Sequence, residues 1–570
     1  MIPTPDVIET DVAVVGSGAA GLMAAIHASA ARPDLDITVV SKGIIGRSGC
    51  SIMVVGLNAS RGPDDSVDRH FRDIVERGLY LNDQELAWNL AAGAPSVVEE
   101  LESYGCYFDR DPNGDILLTP FAGQSTNRHV ARDSQTGFEI MSRLRDQIYR
   151  VRPRLLEEVR ALDLLLDDDG AVAGLALLDI NSGRPLILAA RSVVVATGGA
   201  STLYRVSSPA REKTGDGMAM SLRAGAEMRD MEMMFFLSVG LAAAPSLSSG
   251  MLLAEVFRRI GGELRNSHGE RFMATYEPEA MEASGTEEAV RALYTEIKEG
   301  RGSPHGGVWI DVSHLGAELL EERFPDVVER SRLVGTDITT GPAEVAPVSH
   351  FQIGGVVIDT NGETRVPGLI VAGEDAGGAH GASWIGGNGI VEAMVFGARA
   401  GRRAADVASA RTRSDPAAAQ GAETFRHCFG FLGEGGAETA VDLASELKEA
   451  MWQGAGPVCD RAGLDGAQEA IHGLKARASR LSATGPATVN VAWQSILDLH
   501  NQIAVAETVV AAATAREESR GVHFRVDHPD RDDAGWLRYT VASAQPRGLQ
   551  ISTRPVQLTR LQPDDQRSQA

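Results

Sequence analysis

Residues 11–24 read DVAVVGSGAAGLMA, an apolar run that leads into a glycine turn and then into an alanine-rich segment. This order predicts a strand, a tight turn and a helix. Gly16, Gly18 and Gly21 have the G-x-G-x-x-G spacing, in which the glycines allow the turn, a close approach to a pyrophosphate and tight packing of helix on strand. The stretch therefore predicts a dinucleotide-binding unit, with a glycine turn that binds no ligand as the alternative.

The residues around this turn are the first candidate cofactor ligands. The backbone N–H groups of Ala19 and Ala20 would lie at the positive end of the helix, where phosphate binds well. A second strand, DITVVSK (36–42), ends in Ser41 and Lys42 and is followed by Gly43. The plain fingerprint has an acidic residue here for the ribose. Ser41 can still donate and accept a hydrogen bond to a ribose hydroxyl.

Length and composition exclude several classes of protein. A chain of 570 residues predicts several domains. It has no uncharged apolar run of about 18 residues, so we expect no membrane span, and its first residues do not resemble a signal peptide. Its four cysteines form no C-x-x-C pair, which argues against a disulfide framework, a metal site or an iron–sulfur cluster within the chain and favours the cytoplasm. The net charge of −23 argues against a nucleic-acid partner.

Changes of pattern along the chain predict its organisation. Short apolar runs over 155–195 predict an antiparallel meander that ends in the buried strand SVVVATGG (192–199). Residues 250–345 mix glycine, charge and short helical patterns and are typical of a separate module. From about 415 onward, apolar residues at helical spacing predict a bundle, preceded by a linker at 410–421. The polar residues 531–570 are expected to pack loosely.

Two later motifs favour a flavin over a nicotinamide. Ala196, Thr197 and Gly198 end a strand in ATGG, and Glu374 ends the strand GLIVAGED (368–375), where its carboxylate could bind a ribityl hydroxyl. The segment GGNGIVEAMVFG (386–397) predicts a loop that enters a helix. Its first N–H groups, at Asn388, Gly389 and Ile390, would stabilise negative charge on the pyrimidine edge of a reduced flavin.

Taken together, the motifs resemble the flavoprotein subunits of succinate dehydrogenase and fumarate reductase, a family that also contains L-aspartate oxidase. The matching segments extend along nearly the whole chain: GSGAAG (16–21), SKG (41–43), FAGQS (121–125), ARDSQTG (131–137), ATGG (196–199), TGDGMAMSLRAGAEMRDME (214–232), GGELRNSHGERF (261–272), HGGVWIDVSHL (305–315), SHFQIGGV (349–356), HGASWIGGNG (380–389) and AREESRGVHFRVDHPDRDD (515–533).

The resemblance implies an α/β fold and a catalytic activity. We expect a Rossmann-like FAD-binding domain split in sequence, an inserted α+β capping domain, a C-terminal helical bundle, and hydride transfer at the flavin between the first two. The expected boundaries are 1–237 and 346–410 for the FAD-binding domain, 238–345 for the capping domain, 415–530 for the bundle and 531–570 for an extension.

The resemblance also implies how FAD is held. Asp216 and Glu374 match cofactor positions of the family. Respiratory members attach FAD covalently through a histidine in a motif that here reads RSGC (47–50), with Ser48, Gly49 and Cys50 as its last residues and Gly49 in the histidine's place. We therefore expect non-covalent FAD. Cys50 is the alternative attachment point, and its other interpretation is a small buried thiol.

The substrate positions depart from the family pattern. Leu237 stands where the family has a histidine, and Thr286 and Trp384 stand where it has two arginines that bind or protonate a dicarboxylate. Ala254 replaces a threonine. Phe121, in FAGQS, is a further candidate substrate contact. His350, Glu255 and Arg258 match positions that the family retains, the last two as a proton relay, so all three are candidate catalytic residues.

These losses predict a different substrate. A buried carboxylate needs charge-assisted partners, and an unpaired one costs several kcal/mol. Thr286, Trp384 and Leu237 do not supply that charge and suit a larger or less charged ligand, which could stack on Trp384 beside the flavin. The alternatives are that Trp384 only fills space and that His350 is structural.

The sequence thus predicts an FAD-dependent oxidoreductase that transfers hydride to or from an organic substrate with an apolar or aromatic part, not a C4-dicarboxylate. Its electron acceptor would be oxygen, a quinone or a partner protein. Three alternatives remain: an L-aspartate oxidase, fumarate reductase or succinate dehydrogenase flavoprotein with relocated substrate residues; a flavin monooxygenase or an electron-transfer subunit paired with an iron–sulfur protein; and a non-catalytic flavin-binding or assembly protein. The oligomeric state is left open.

Overall fold

The computed structural model describes residues 2–208, 210–242, 250–253, 255–416 and 418–563. At its centre is a parallel sheet, here called the nucleotide sheet, in the spatial order Leu369–Val371, Ser192–Val195, Val12–Val15, Ile37–Val40 and Arg154–Leu156. Its three middle strands are entirely buried, as valine-rich parallel strands usually are. Because its strands lie on both sides of the capping segment in sequence, the predicted split of the FAD-binding domain is confirmed.

Two helices pack against each other beside this sheet, Ala19–Ala31 and Asn388–Ala410. Glycine makes their approach possible: a Cβ atom at Gly401 would lie 2.1 Å from the carbonyl oxygen of Ala24. The close pair fixes the N-terminus of each helix at the same end of the sheet. The other helices of this half are Val67–Arg77, Gln84–Ser103, Thr136–Val151 and Asp216–Arg223.

The predicted meander forms a second sheet, in which Pro185–Ala189, Val172–Asp179 and Val159–Leu166 pair antiparallel. Its last predicted strand, 192–199, belongs instead to the nucleotide sheet through Ser192–Val195. The N-terminal strand Asp6–Glu9 adds to its edge in parallel, which the sequence pattern did not predict.

The capping domain has an antiparallel sheet and a hydrophobic core of its own. The strands are Met234–Leu241, Ala343–Gln352, Val308–Asp311 and Glu263–Arg265, in that order. The first two run without interruption across the predicted boundaries at 237/238 and 345/346, and so connect the cap to the FAD-binding domain. Its helices are Val256–Arg259, Met273–Tyr276, Thr286–Glu296, Ala317–Arg323 and Pro325–Leu333.

The C-terminal part is a helical bundle followed by a hairpin. The helices are Ala418–Phe429, Ala440–Ala455, Arg461–Ala478 and Val491–Ala515, with a short turn at Asp533–Trp536. The hairpin Arg538–Gln545 and Gly548–Pro555 adds to a sheet through Met228–Arg229, beyond which lie Gly355–Val357 and Ala376–Gly377. The expectation that 531–570 packs loosely is therefore wrong for the hairpin, whose first strand is partly buried.

Within the described residues, no helix combines the length and apolar character needed to cross a bilayer.

Candidate active site and cofactor cradle

The glycine turn forms the first part of the site. Gly16 has φ of +109°, and a Cβ atom there would lie 2.0 Å from the carbonyl oxygen of Ala196. A Cβ atom at Gly21 would lie equally close to the carbonyl oxygen of Gly16. Gly18 precedes the helix with extended backbone, and the Ala19 N–H donates to Ser51 Oγ at 3.2 Å. The predicted strand, turn and helix N-terminus are all present, and no side chain could occupy the two tight positions.

Lys42 lies in a charged network next to this turn. Its Nζ donates to Asp216 Oδ2 at 2.8 Å, to Asp498 Oδ1 at 3.1 Å and to Thr214 Oγ1 at 3.1 Å. Its neighbour Ser41 is buried, with its Oγ 2.9 Å from Ser17 Oγ. Lys42 is therefore bound by two acidic side chains, while Ser41 is tied to the turn itself.

Asp216 receives hydrogen bonds from several segments. Asn501 Nδ2 donates at 2.7 Å and Arg160 Nη2 at 3.1 Å. Burial alone would raise the pKa of Asp216, but Lys42 and Arg160 outweigh it and hold the pKa well below its usual range. Asp498 and Asn501 belong to the helix Val491–Ala515, so the C-terminal bundle contributes to the cradle. Sequence analysis missed Arg160, Asp498 and Asn501, because nothing local links them to Asp216.

Glu374 and Lys213 form a second buried charge pair. Lys213 Nζ lies 2.6 Å from Glu374 Oε1, which also accepts the Gln352 N–H at 3.0 Å. Burial lowers the pKa of Lys213, but the acidic groups around it, with Glu374 foremost, together raise it by more, so the ammonium stays charged. Lys213 was not identified from sequence. Glu374 Oε1 is thus engaged by two donors.

Thr197 and Gly198 are fixed by Asp375. The Gly198 N–H donates to Asp375 Oδ2 at 3.0 Å, and Thr197 Oγ1 donates to the same carboxyl group at 3.1 Å. Burial raises the pKa of Asp375 to about 7. These bonds hold the ATGG turn against the end of the strand Leu369–Val371.

The loop 47–50 offers no attachment histidine. Gly49 has φ of +82°, and a Cβ atom there would meet nothing within 4 Å. Cys50 is half-buried, with its Sγ 3.9 Å from Glu374 Oε2. Burial raises the pKa of the Cys50 thiol, and the thiol is a much weaker nucleophile than the thiolate. Ser48 lies 3.0 Å from the position of a Cβ atom at Gly43.

The start of the helix Asn388–Ala410 is braced from one side by asparagine. Gly387 precedes the helix with φ of +88°. Asn58 Nδ2 donates to the Gly386 carbonyl oxygen and to Asn388 Oδ1, both at 2.8 Å. His70 Nε2 lies 3.1 Å from the same Asn388 oxygen. The predicted loop before the helix is therefore fixed by side chains from distant segments.

Phe121 supports the same loop. A Cβ atom at Gly386 would lie 2.3 Å from Phe121 Cε1. The Phe121 ring stacks on His129 at 4.3 Å between centroids, and His129 Nδ1 lies 3.0 Å from Asn58 Oδ1. Phe121 thus contacts the loop two residues after Trp384, and its contact with a substrate stays a prediction.

Trp384 lies in a group of side chains that we call the aromatic chamber. Its indole stacks on Phe351 at 5.0 Å between centroids, meets Phe235 edge-on at 5.4 Å and lies 5.5 Å from the His350 ring. Leu237 packs in the same apolar cluster. A Cβ atom at Gly389 would come within 3.4 Å of Trp384 Nε1. The structure therefore brings Trp384, Leu237, His350 and the helix start together, and their contact with a substrate stays a prediction.

His350 is held neutral. Its Nδ1 lies 2.9 Å from Ser208 Oγ. Burial and the nearby Lys213 charge lower the pKa of His350 to about 3. At ordinary pH it can donate or accept a hydrogen bond, but it does not store a proton for release.

Glu255 and Arg258 form an ion pair inside the cap. Arg258 Nη2 lies 3.0 Å from Glu255 Oε2, and Arg258 Nη1 donates to the carbonyl oxygens of Glu282 at 2.6 Å and Ser284 at 3.2 Å. Arg258 is fully buried. Through Ser284, Arg258 contacts the segment just before Thr286, which begins the helix Thr286–Glu296. The role of the Glu255–Arg258 pair in catalysis stays a prediction. Ala254 lies outside the described residues.

Glu287, which sequence analysis did not single out, contacts the chamber wall. Its carboxylate accepts a hydrogen bond from Ser383 Oγ, one residue before Trp384, and lies 2.6 Å from Arg77 Nη2. The charged groups bonded to the residue before Trp384 are therefore Glu287 and Arg77, which neutralise each other. No local motif indicates it, because the three residues come from separate parts of the chain.

Several buried polar atoms at the site have no partner within the described residues. They are Trp384 Nε1, Asn388 Nδ2, Gln352 Oε1 and both amide atoms of Gln124. An unpaired buried donor or acceptor costs about 1–3 kcal/mol. A planar ligand with polar edges would satisfy such atoms, and the glycine turn leaves room for a pyrophosphate, so the residues present fit FAD.

A glycine turn on a parallel nucleotide sheet, with a cap inserted between its two halves, is the arrangement of a flavin-dependent oxidoreductase. Comparison with known proteins agrees. Residues 11–390 match the family described as FAD binding domain, and residues 444–568 match the family described as fumarate reductase flavoprotein C-term. The chain belongs to the flavoprotein-subunit family of fumarate reductase and succinate dehydrogenase, and it is an FAD-dependent oxidoreductase.

Relatives and solved structures span almost the whole chain. A subunit of the CoM/CoB fumarate reductase of Methanothermobacter marburgensis is 38% identical over 92% of this chain and 95% of its own length. The fumarate reductase flavoprotein subunit of Mycobacterium tuberculosis is 34% identical over 97% of this chain and 98% of its own length. A point mutant of the FrdA chain of E. coli quinol fumarate reductase has a TM-score of 0.92 at 32% identity, covering 98% of each chain. Mycobacterium smegmatis Sdh1 in complex with UQ1 has a TM-score of 0.90 at 34% identity, covering 98% and 96%.

Proposed function

We propose that this oxidoreductase transfers hydride to or from an organic substrate with an apolar or aromatic part, and that C4-dicarboxylates are not its substrates. The observation that supports this proposal is the aromatic chamber, in which Trp384 stacks on Phe351 and is flanked by Phe235, Leu237 and a neutral His350. A dicarboxylate would meet Arg77 and Lys213 here already paired with Glu287 and Glu374. Desolvating an anion there would cost several kcal/mol.

The residues of the chain have separate roles in this proposal. The glycine turn and the first amides of the helix Ala19–Ala31 would hold the pyrophosphate of FAD, and Glu374 would accept a hydrogen bond from its ribityl chain. FAD, when bound, supplies the hydride acceptor or donor. Trp384 and Phe351 provide a flat apolar surface that orients the substrate and excludes water. His350 offers a hydrogen bond to a polar atom of the substrate without changing its charge.

We infer that FAD is bound without a covalent link. Gly49 supplies no nucleophile, and Cys50 is kept as a thiol by burial. Denaturation in acid followed by centrifugation separates free flavin from protein. The proposal expects all the yellow colour in the supernatant. It would be contradicted if the wild-type pellet stayed yellow while the pellet of a Cys50→Ser variant lost its colour.

A second candidate function is fumarate reduction or succinate oxidation, as in the curated relatives. The identity of 38% over 92% of the chain to a fumarate reductase subunit favours it. In that case the groups that bind the carboxylates would have to be others than the side chains of the aromatic chamber.

One experiment separates the two functions. The bound flavin is photoreduced without oxygen, and its absorbance is followed after adding fumarate, a quinone or air. Fumarate should leave the reduced flavin unchanged, whereas one of the other acceptors should restore its colour. Reoxidation that depends on fumarate would contradict the proposal. A screen of small aromatic and aliphatic compounds for bleaching of the oxidised flavin then identifies the substrate class.

A further inference from the structure

The ion pair between Arg77 and Glu287 is joined by a hydrogen bond to Ser383, the residue before Trp384. Arg77 ends the helix Val67–Arg77, and Glu287 lies in the first turn of the helix Thr286–Glu296 of the cap. Arg77 Nη2 is 2.6 Å from Glu287 Oε1 and 2.5 Å from Glu287 Oε2. One nitrogen thus contacts both oxygens, and the two charges cancel.

The geometry gives Glu287 a central position in this pair. Its carboxylate also accepts the Ser383 hydroxyl, so it joins the cap, the FAD-binding domain and the residue before Trp384. Its side chain is only 10% exposed, whereas that of Arg77 is 32% exposed. Arg77 could therefore turn toward a ligand at the edge of the chamber, but Glu287 cannot leave without losing both partners.

We propose that Glu287 is a specificity-determining residue that prevents anionic substrates from binding. It occupies the guanidinium of Arg77, which would otherwise be available to a carboxylate beside Trp384. An incoming carboxylate must compete with a preformed, buried counter-ion and is also repelled by it. This inference rests on the function proposed above and names the residue that enforces it.

A preference for uncharged substrates follows from the same contacts. An anion has to compete with Glu287 for Arg77, and a cation meets the more exposed Arg77 guanidinium. The substrate class that fits the chamber and this pair together is a neutral molecule with an aromatic or apolar part.

The test is a calorimetric titration of succinate into the FAD-loaded protein. Succinate should bind the wild type only weakly, and Glu287→Gln should bind it at least about tenfold more tightly, as expected for one charge-assisted contact. Glu288→Gln is the matched control, because it makes the same change one residue along, where the side chain pairs with Arg291 at 3.0 Å instead. It should behave as the wild type.

The double variant Arg77→Gln/Glu287→Gln identifies the source of any gain. It should lose the succinate binding that Glu287→Gln acquires, since the freed guanidinium is gone. A gain that survives in the double variant would overturn the inference, and so would a Glu287→Gln protein that holds FAD and binds no succinate. The second of these results leaves the proposed function intact. Tight succinate binding by the wild type would overturn both.

A further variant keeps the inference testable if Glu287→Gln does not retain FAD. Arg77→Gln leaves the Glu287 carboxylate without its cation, so a small aromatic amine should bind at least about fivefold more tightly than to the wild type. Benzylamine is the probe, and benzyl alcohol is its uncharged control. Equal affinity of wild type and variant for benzylamine would contradict the role given to Glu287.

Discussion

Trp384 has its position because the residues around it are small. Gly386, Gly387 and Gly389 bring the backbone close to the rings, and a Cβ atom at Gly389 would lie only 2.9 Å from Phe351 Cε2. The indole can then stack on Phe351 while its Nε1 remains without a partner in the described residues. A large side chain can therefore lie in this glycine-rich loop, because glycine lets the loop and the start of the helix come close to the Trp384 and Phe351 rings.

At this scale the first prediction concerns Trp384 itself. Trp384→Arg should lower kcat/KM for substrates found in the bleaching screen at least about tenfold, because stacking area is lost and a charge enters an apolar wall. Trp384→Phe keeps a flat ring and should retain most of the activity. Steady-state kinetics on FAD-loaded protein measure both, and unchanged kinetics of the arginine variant would show that Trp384 does not line the site.

At the scale of elements, the helix Asn388–Ala410 is aimed by side chains outside it. Asn58 bonds the loop before the helix and the first residue of the helix, and it is itself fixed by His129. If the first amides of the helix meet the flavin, as predicted, they have most effect when their direction is fixed. We therefore propose that Asn58 is a positioning residue for the cofactor.

Asn58→Ala should therefore weaken FAD binding. The loss of two hydrogen bonds at about 1 kcal/mol each predicts a rise in Kd of roughly tenfold or more. Quenching of flavin fluorescence during reconstitution of the apoprotein measures the Kd. Asn89→Ala is the control, because the Asn89 amide bonds within its own helix, to the carbonyl oxygen of Glu85. Equal Kd values for the two variants would contradict the positioning role of Asn58.

For the whole molecule, several histidines are buried as neutral rings. Burial lowers the pKa of His70, His129 and His523 to about 4. An unfolded histidine takes up a proton below about pH 6.5, whereas the folded one does so only near pH 4. Between these values the unfolded state binds more protons, so this contribution to stability is lost as the pH falls. Asp375, with a pKa raised to about 7, acts in the opposite sense.

A comparison of variants isolates one such histidine. From pH 7 to pH 5 the free energy of unfolding of the wild type should fall by about 2 kcal/mol more than that of His129→Gln, which has no ring to protonate. His129 is suited to this test because burial is the cause of its lowered pKa. Urea unfolding at both pH values gives the difference, and parallel losses in the two proteins would contradict the assignment.

The parts of the structure that the sequence predicts are those governed by local geometry. The turn at Gly16 and Gly21 follows from spacing alone, because any side chain there would collide with backbone. The helix start at Asn388 is foreseen from its glycine loop and apolar spacing. Trp384 could be placed in the loop before this helix because glycine-rich segments flank it closely, and its contact with the flavin stays a prediction.

The remaining parts depend on pairings between distant segments. Asp498 and Asn501 reach Asp216 and Lys42 only because the bundle helix Val491–Ala515 packs on the helix Asp216–Arg223. Glu287 meets Ser383 only because the cap docks onto the FAD-binding domain. The strand Arg538–Gln545 has polar residues and ordinary spacing, and its partner at Met228–Arg229 lies far earlier in the chain. No periodicity in a single segment contains such information.

The divided nucleotide sheet also has a consequence for biosynthesis. Its strand Ser192–Val195 pairs with Leu369–Val371, and the whole cap is translated between the two. A nascent chain that has left the ribosome only as far as the cap still exposes the open edge of that sheet and lacks Glu374. The cap is therefore synthesised before its host domain is complete, and the strand that closes this edge, with Glu374 behind it, reaches the first half only after the whole cap has been translated.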